Sequence, residues 1–130
     1  MSCVKAPHSV SSQNAPGAIG PYSQGVVAGD LLFISGQLPV DPATGAFANG
    51  GIAEHAHQCL RNLSAIATAA GTGLERAVKV TVFLSDMANF ATVNQVYGEY
   101  FKANLPARSA VQVAALPKNA DIEIEAIVSL

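Results

Sequence analysis

The chemistry of this chain starts from one arginine. The stretch Pro106-Ala-Arg-Ser-Ala-Val-Gln-Val113 sets Arg108 between a chain-breaking proline and the first residues of an alternating strand, where a loop becomes a rigid element. Arginine offers five donors in a fixed fork, stays charged at physiological pH and matches a carboxylate bidentately, so the position suits a clamp for a small acid. The same residue could serve a structural ion pair, and the residues alone leave both readings open. Glu123 and Glu125 share one face of a second strand whose other face is Ile122, Ile124, Ala126 and Val128, so two carboxylates point away from the apolar side. A solvated face is the plain explanation of that pattern, for Glu125 above all. Tyr22 ends a stiff, turning segment, Asn14-Ala-Pro-Gly-Ala-Ile-Gly-Pro-Tyr22, and is explained equally by packing.

Other chemistries find little support. His55 and His57 sit two apart on a helix, about 160° around its axis, so they cannot hold one metal; both read as peripheral, with His57 on the solvent side. Cys3 in a polar tail and Cys59 on a helix face give neither a disulfide framework nor zinc spacing, which fits reduced cytosolic thiols. No histidine in a strand-end context supports a serine-hydrolase arrangement. A net charge of −2 with scattered Lys and Arg offers no basic stripe, so nucleic acid is an unfavoured partner. No apolar run approaches a membrane span and the N-terminal residues lack the charged-then-apolar pattern of a signal peptide, so a cytoplasmic protein is expected.

The elements that must position these residues follow from periodicity. Residues 1–13 are polar and unpatterned and read as a flexible tail; 14–130 reads as a single domain. Gly25–Ala28 and Leu31–Ile34, joined by Gly29-Asp30, predict a hairpin, and Ser35-Gly36-Gln37 follows its second strand; Gly36 there either admits a close approach or marks a bulge. Asp41-Pro-Ala-Thr-Gly45 has the composition of a tight turn. Apolar residues at 52, 56, 59, 60, 63, 66, 67 and 70 predict a helix that Gly71 ends. Arg76–Leu84 alternates as a strand, with Val78, Val80, Val82 and Leu84 on one face. Asn89 caps a second helix buried through Phe90, Val93, Tyr97, Tyr100 and Phe101, with Asn94 away from the centre of that stripe. Two last strands, 109–115 and 121–128, complete an α+β sandwich with two helices on one face of a mixed sheet. The sequence is half hydrophobic and only 12% charged, against about a quarter charged in an ordinary domain. The face left open by two helices is therefore expected to be an oligomer interface, with ligand clefts at its edges.

Several of these stretches resemble the RidA (reactive intermediate deaminase A, YjgF) family: Ala18-Ile-Gly-Pro-Tyr-Ser-Gln24, Ile34-Ser-Gly-Gln37, Phe90-Ala-Thr-Val-Asn94, Pro106-Ala-Arg-Ser109 and Ile122-Glu-Ile-Glu-Ala126. The resemblance runs from about residue 14 to the C-terminus. It implies a chorismate-mutase-like fold assembled as a homotrimer with sites between neighbouring subunits. The implied activity is hydrolysis of 2-aminoacrylate and 2-aminocrotonate, through 2-iminopropanoate and 2-iminobutanoate, to pyruvate and 2-oxobutanoate plus ammonia, with no metal or organic cofactor. Carried over by position, Arg108 would hold the substrate carboxylate and Glu123 would orient the attacking water, while Tyr22, Ser35, Gly36, Asn94 and the backbone of Ala110 would line the cleft. One departure is Ala110, where many relatives carry cysteine; a thiol contribution is therefore not expected here.

Two alternatives accompany this expectation. The same clamp could sense a 2-oxo acid without turning it over, and some relatives have been given ribonuclease activity, against which the acidic balance argues. There is also a geometric difficulty. A simple hairpin of the last two strands about Pro117–Asn119 would pair Glu123 near Val113, roughly 17 Å from Arg108. Either those strands are not paired so, or the cleft gathers its residues across a subunit boundary.

Overall fold

Alternation along the strands and the helical period of the two long apolar stripes converge on one core. A computed structural model describes residues 5–130; Cys3 lies outside them. Its strands are β1 (His8–Val10), β2 (Gly25–Ala28), β3 (Leu31–Gln37), β4 (Ala77–Leu84), β5 (Ala107–Gln112) and β6 (Ile122–Ser129), and its helices α1 (Ile52–Ala69) and α2 (Phe90–Tyr100). The sheet runs β1-β2-β3-β6-β4-β5, antiparallel throughout except for the parallel pair β4 and β5. Register stacks Leu32 beside Val128, Ala126 between Ile34 and Val80, and Ile124 beside Val82, so one face is continuously apolar. Against that face α1 buries Ala56, Cys59, Leu60, Leu63, Ile66 and Ala67, and α2 buries Val93, Val96 and Tyr97. The mixed sheet with two helices on one side is the expected α+β architecture. No helix among the described residues is long and apolar enough to cross a membrane.

The predicted hairpin turns at Gly29, which takes a φ of +60°. Helix α1 closes as expected at Gly71 (φ +84°): Thr72 N–H reaches Ala67 O and Gly71 N–H reaches Thr68 O, satisfying carbonyls that the helix end leaves open. Asp41 accepts from the backbone N–H of Thr44, Gly45 and, through its side chain, Ala43, which makes the predicted tight turn.

Four local expectations are corrected. Residues 8–10 of the supposed tail pair with Val27, Val26 and Gly25, because an edge strand needs only backbone hydrogen bonds and no side-chain pattern. Ala77 is buried and Val78 turned outward, the reverse of strict alternation, because a bulge against β6 adds a residue there. Asn89 makes no capping bond; Asp86 accepts from Ala88 N at 2.9 Å, and a 3-10 turn over Met87–Asn89 runs on into α2. Finally, β5 and β6 are not neighbours. β4 lies between them, so the simple hairpin about Pro117–Asn119 does not form.

The face away from the helices stays open. Phe33 and Val111 are 42% and 41% exposed there, beside the partly exposed Val26, Thr81, Phe83 and Ile127.

Candidate active site

Arg108 is the second residue of β5, paired with Val80 of β4, and so projects to the helix side of the sheet. There its Nη1 donates to Asn94 Oδ1 at 2.7 Å, and its guanidinium carbon stands 5.3 Å from the centre of the Phe90 ring and 4.7 Å from that of Tyr97. Among the described residues no carboxylate lies within ion-pair distance of it; the carboxylates that meet a basic side chain at such distances are Asp121, beside His55, and Glu99, beside His57. The structural ion pair, one of the two readings open in the sequence, is therefore not what holds Arg108. One donor goes to an amide and the rest of the fork is available to an anion. Ala110, two residues on, points to the same side and is half-buried against the core.

Glu123 lies elsewhere. It pairs with Phe83 and faces away from the helices, half-buried, at an open cleft of about 1020 Å³ lined also by Tyr22, Ser35, Gly36, Leu38, Val40, Pro117, Lys118 and Glu125. The position of its carboxylate depends on a bulge: between Ile34 and Gln37 the register of β3 slips against β6, and Gly36 sits in the slip. A β-carbon on Gly36 would overlap the Glu123 carboxylate, so the close approach that glycine permits is made by this side chain. Ser35 is fixed beside it, its Oγ donating to Ser23 O at 2.6 Å and its N–H to Gln24 O at 2.9 Å. Burial, and secondly the Glu125 charge, push the Glu123 carboxyl up from its ordinary value. A carboxyl so placed holds its proton more tightly than an exposed one, which makes its ionised form a stronger base.

The sequence-based site thus divides into two groups. Tyr22, Ser35, Gly36 and Glu123 line one cleft; Asn94, Arg108 and Ala110 lie on the helix side of β5 and its neighbour α2. Two strand spacings and three residues of β4 separate Glu123 from Arg108, about 14 Å between backbones, on opposite faces of the sheet.

A family model described as Endoribonuclease L-PSP, which takes in the RidA and YjgF proteins, matches residues 12–130. The chain belongs to this RidA family. Among relatives, the RutC family protein y4sK of Sinorhizobium fredii is 56% identical over 121 residues, covering 93% of this chain and 96% of that protein. The human 2-iminobutanoate/2-iminopropanoate deaminase is 52% identical over 118 residues, covering 91% of this chain and 86% of that one. Among solved structures, that of E. coli TdcF with bound serine superposes with a TM-score of 0.89 at 45% identity, over 95% of this chain and 98% of that one.

Within the RidA frame, several residues that pattern reading passed over hold the cleft in shape. Gln24 is buried and ties the 12–24 segment together: its Nε2 donates to Pro16 O at 2.7 Å and Ser12 O at 3.1 Å, and its Oε1 accepts from Ser12 N. Asn62 is wholly buried on α1 and donates to Val40 O at 2.9 Å and Leu38 O at 3.2 Å, fixing one wall. A polar residue inside an otherwise apolar stripe was the available signal, since a buried amide must find partners. His55 is not peripheral: Nδ1 meets the Asp121 carboxylate at 2.8 Å and Nε2 lies 3.0 Å from Ala48 O, linking α1 to the residue before β6 and to the loop that leads into α1 itself. His57 is half-buried, with Nδ1 at 2.9 Å from the Tyr100 hydroxyl, because the two helices close over it. Burial pushes the Cys59 thiol well up, which makes it an unreactive packing residue.

Proposed function

We propose that this protein is a 2-iminobutanoate/2-iminopropanoate deaminase, hydrolysing imines of small 2-oxo acids to the 2-oxo acid and ammonia. The observation that carries the reading is Glu123: a half-buried carboxyl without an ion-pair partner among the described residues, backed onto Gly36 at the floor of an open cleft and pushed up from its ordinary value by burial. An imine carbon conjugated to a carboxylate is already electrophilic. The site has to hold the acid, place a water and move protons. Glu123 takes a proton from water as its oxygen bonds to the imine carbon and passes that proton to the imine nitrogen, which gives a carbinolamine. Glu123 then takes the hydroxyl proton and passes it to the amine nitrogen as the carbonyl forms, the carbon–nitrogen bond breaks and ammonia leaves. Arg108 holds the carboxylate throughout. The chemistry needs no metal or organic cofactor.

The reading includes a homotrimer, since one chain does not bring Arg108 within reach of Glu123. A site formed between copies takes the Arg108, Asn94 and Ala110 group from one and the Tyr22, Ser35, Gly36 and Glu123 group from the next. The apolar open face around Phe33 and Val111 supports such assembly. The reading also includes a cytoplasmic location, where Cys3 and Cys59 stay reduced.

Ammonia and keto-acid release from 2-aminoacrylate generated in situ by a dehydratase tests the proposal; no acceleration over the spontaneous rate would sink it. The TdcF structure holds serine, a small amino acid, which favours an acid-binding site and keeps the non-catalytic sensor as the second reading. A ligand that persists for hours in the site unchanged would favour the sensor. The family's description gives ribonuclease as a third reading, against which the net charge of −2 and two glutamates in the cleft weigh.

A further inference from the structure

Helix α2 grips Arg108 with three side chains at helical spacing. Phe90, Asn94 and Tyr97 stand at i, i+4 and i+7, so they form one stripe along α2 facing the start of β5. Asn94 accepts one N–H, while the two rings approach the guanidinium carbon at 5.3 and 4.7 Å. An aromatic face attracts a cation through its quadrupole and consumes no donor. Two rings and one amide therefore fix the guanidinium while leaving four of its five N–H groups for a ligand. The Tyr97 hydroxyl takes no part in this: the residue is only 7% exposed, and its oxygen is buried without a hydrogen-bond partner.

We propose that Phe90 and Tyr97 are positioning residues for the Arg108 clamp, and that their ring faces, rather than the tyrosine hydroxyl, hold the fork in the orientation that receives a substrate carboxylate. The proposal rests on Arg108 being the acid-binding group. An arginine on an exposed strand edge would otherwise sample many rotamers, and ordering it at the moment of binding would weaken the hold on the acid. Leucine in place of either ring fills space and keeps the core, but it has no quadrupole, so packing and orientation can be separated.

The test uses pyruvate, the unreactive product acid, as the binding probe in calorimetry, together with kcat and KM on 2-iminopropanoate generated in situ. Phe90→Leu and Tyr97→Leu each raise the pyruvate Kd and the KM about fivefold to tenfold, the size of a lost cation–π contact. Tyr97→Phe restores the ring and recovers most of what Tyr97→Leu loses. Thermal denaturation confirms that each variant is folded; if Tyr97→Leu does not fold, Phe90→Leu decides alone. Folded leucine variants with wild-type Kd and KM overturn the proposal, and so does a Tyr97→Phe protein as impaired as Tyr97→Leu. Arg108→Lys run alongside separates the two ideas. If it keeps wild-type pyruvate affinity, the clamp itself is wrong; if it loses affinity while the leucine variants do not, only the positioning role fails.

Discussion

Arg108 has an amide and two rings for company and, among the described residues, no carboxylate, which is an unusual setting unless an anion arrives from elsewhere. Lysine keeps the charge but loses the planar fork. Arg108→Lys is expected to leave a folded protein whose imine hydrolysis falls about two decades, the equivalent of roughly 2–3 kcal/mol for a bidentate charge-assisted contact. Wild-type turnover in that variant would remove Arg108 from the mechanism. Glu123 makes its own prediction through pH. Burial first and Glu125 second raise its carboxyl, and the base form is the ionised one, so activity falls with decreasing pH at values above the ordinary carboxylate range. Glu125→Gln removes the second cause; it should barely change the neutral rate and should move the acidic limb of kcat/KM to lower pH. Glu123→Gln should lower turnover at every pH while leaving pyruvate binding largely intact. An acidic limb that stays in place in Glu125→Gln would show that the limb belongs to another group.

At the scale of elements, most of what positions these residues was legible in the sequence. Period-2 runs gave β4 and β6, and the apolar stripe from Ile52 gave α1, because burial on one face leaves a pattern in side-chain type. What was not legible depends on backbone hydrogen bonding, which leaves no such pattern. The insertion of β4 between β5 and β6, the pairing of His8–Val10, and the bulge at the start of β4 are all of this kind, whereas Gly36 had marked the bulge in β3 as one of two readings. The bulge in β3 matters most for chemistry. Ser35-Gly36 oppose a single step of β6 there, and the missing side chain of Gly36 makes room for the Glu123 carboxylate. A methyl group at that position meets only the far end of a flexible side chain, which can swing away at little cost to the fold. Gly36→Ala should therefore leave the melting temperature within a few degrees of wild type, equivalent to about 1 kcal/mol or less, while kcat/KM drops more than about tenfold, or 1.4 kcal/mol of barrier. A Gly36→Ala protein of full activity would separate the bulge from catalysis.

For the whole molecule the decisive fact is that Arg108 and Glu123 lie on opposite faces of one sheet, about 14 Å apart between backbones, with an open apolar surface around Phe33 and Val111. In the proposed homotrimer each copy would supply one half of the site to one neighbour and receive the other half from the second, so three copies would make three sites. Light scattering should accordingly give three times the 13.3 kDa chain mass. The same arrangement predicts complementation. Arg108→Lys and Glu123→Gln each damage every site of their own trimer, yet a mixed trimer contains interfaces at which an intact Arg108 from one chain meets an intact Glu123 from another. Random exchange of subunits at equal amounts restores about a quarter of all sites. Mixing the two purified variants under mild dissociating conditions and reassembling them should raise activity far above that of either alone, to about a quarter of wild type. Reassembled mixtures no more active than the parents, with exchange verified by mass, would mean that each chain carries a complete site and that Arg108 and Glu123 do not act on the same ligand.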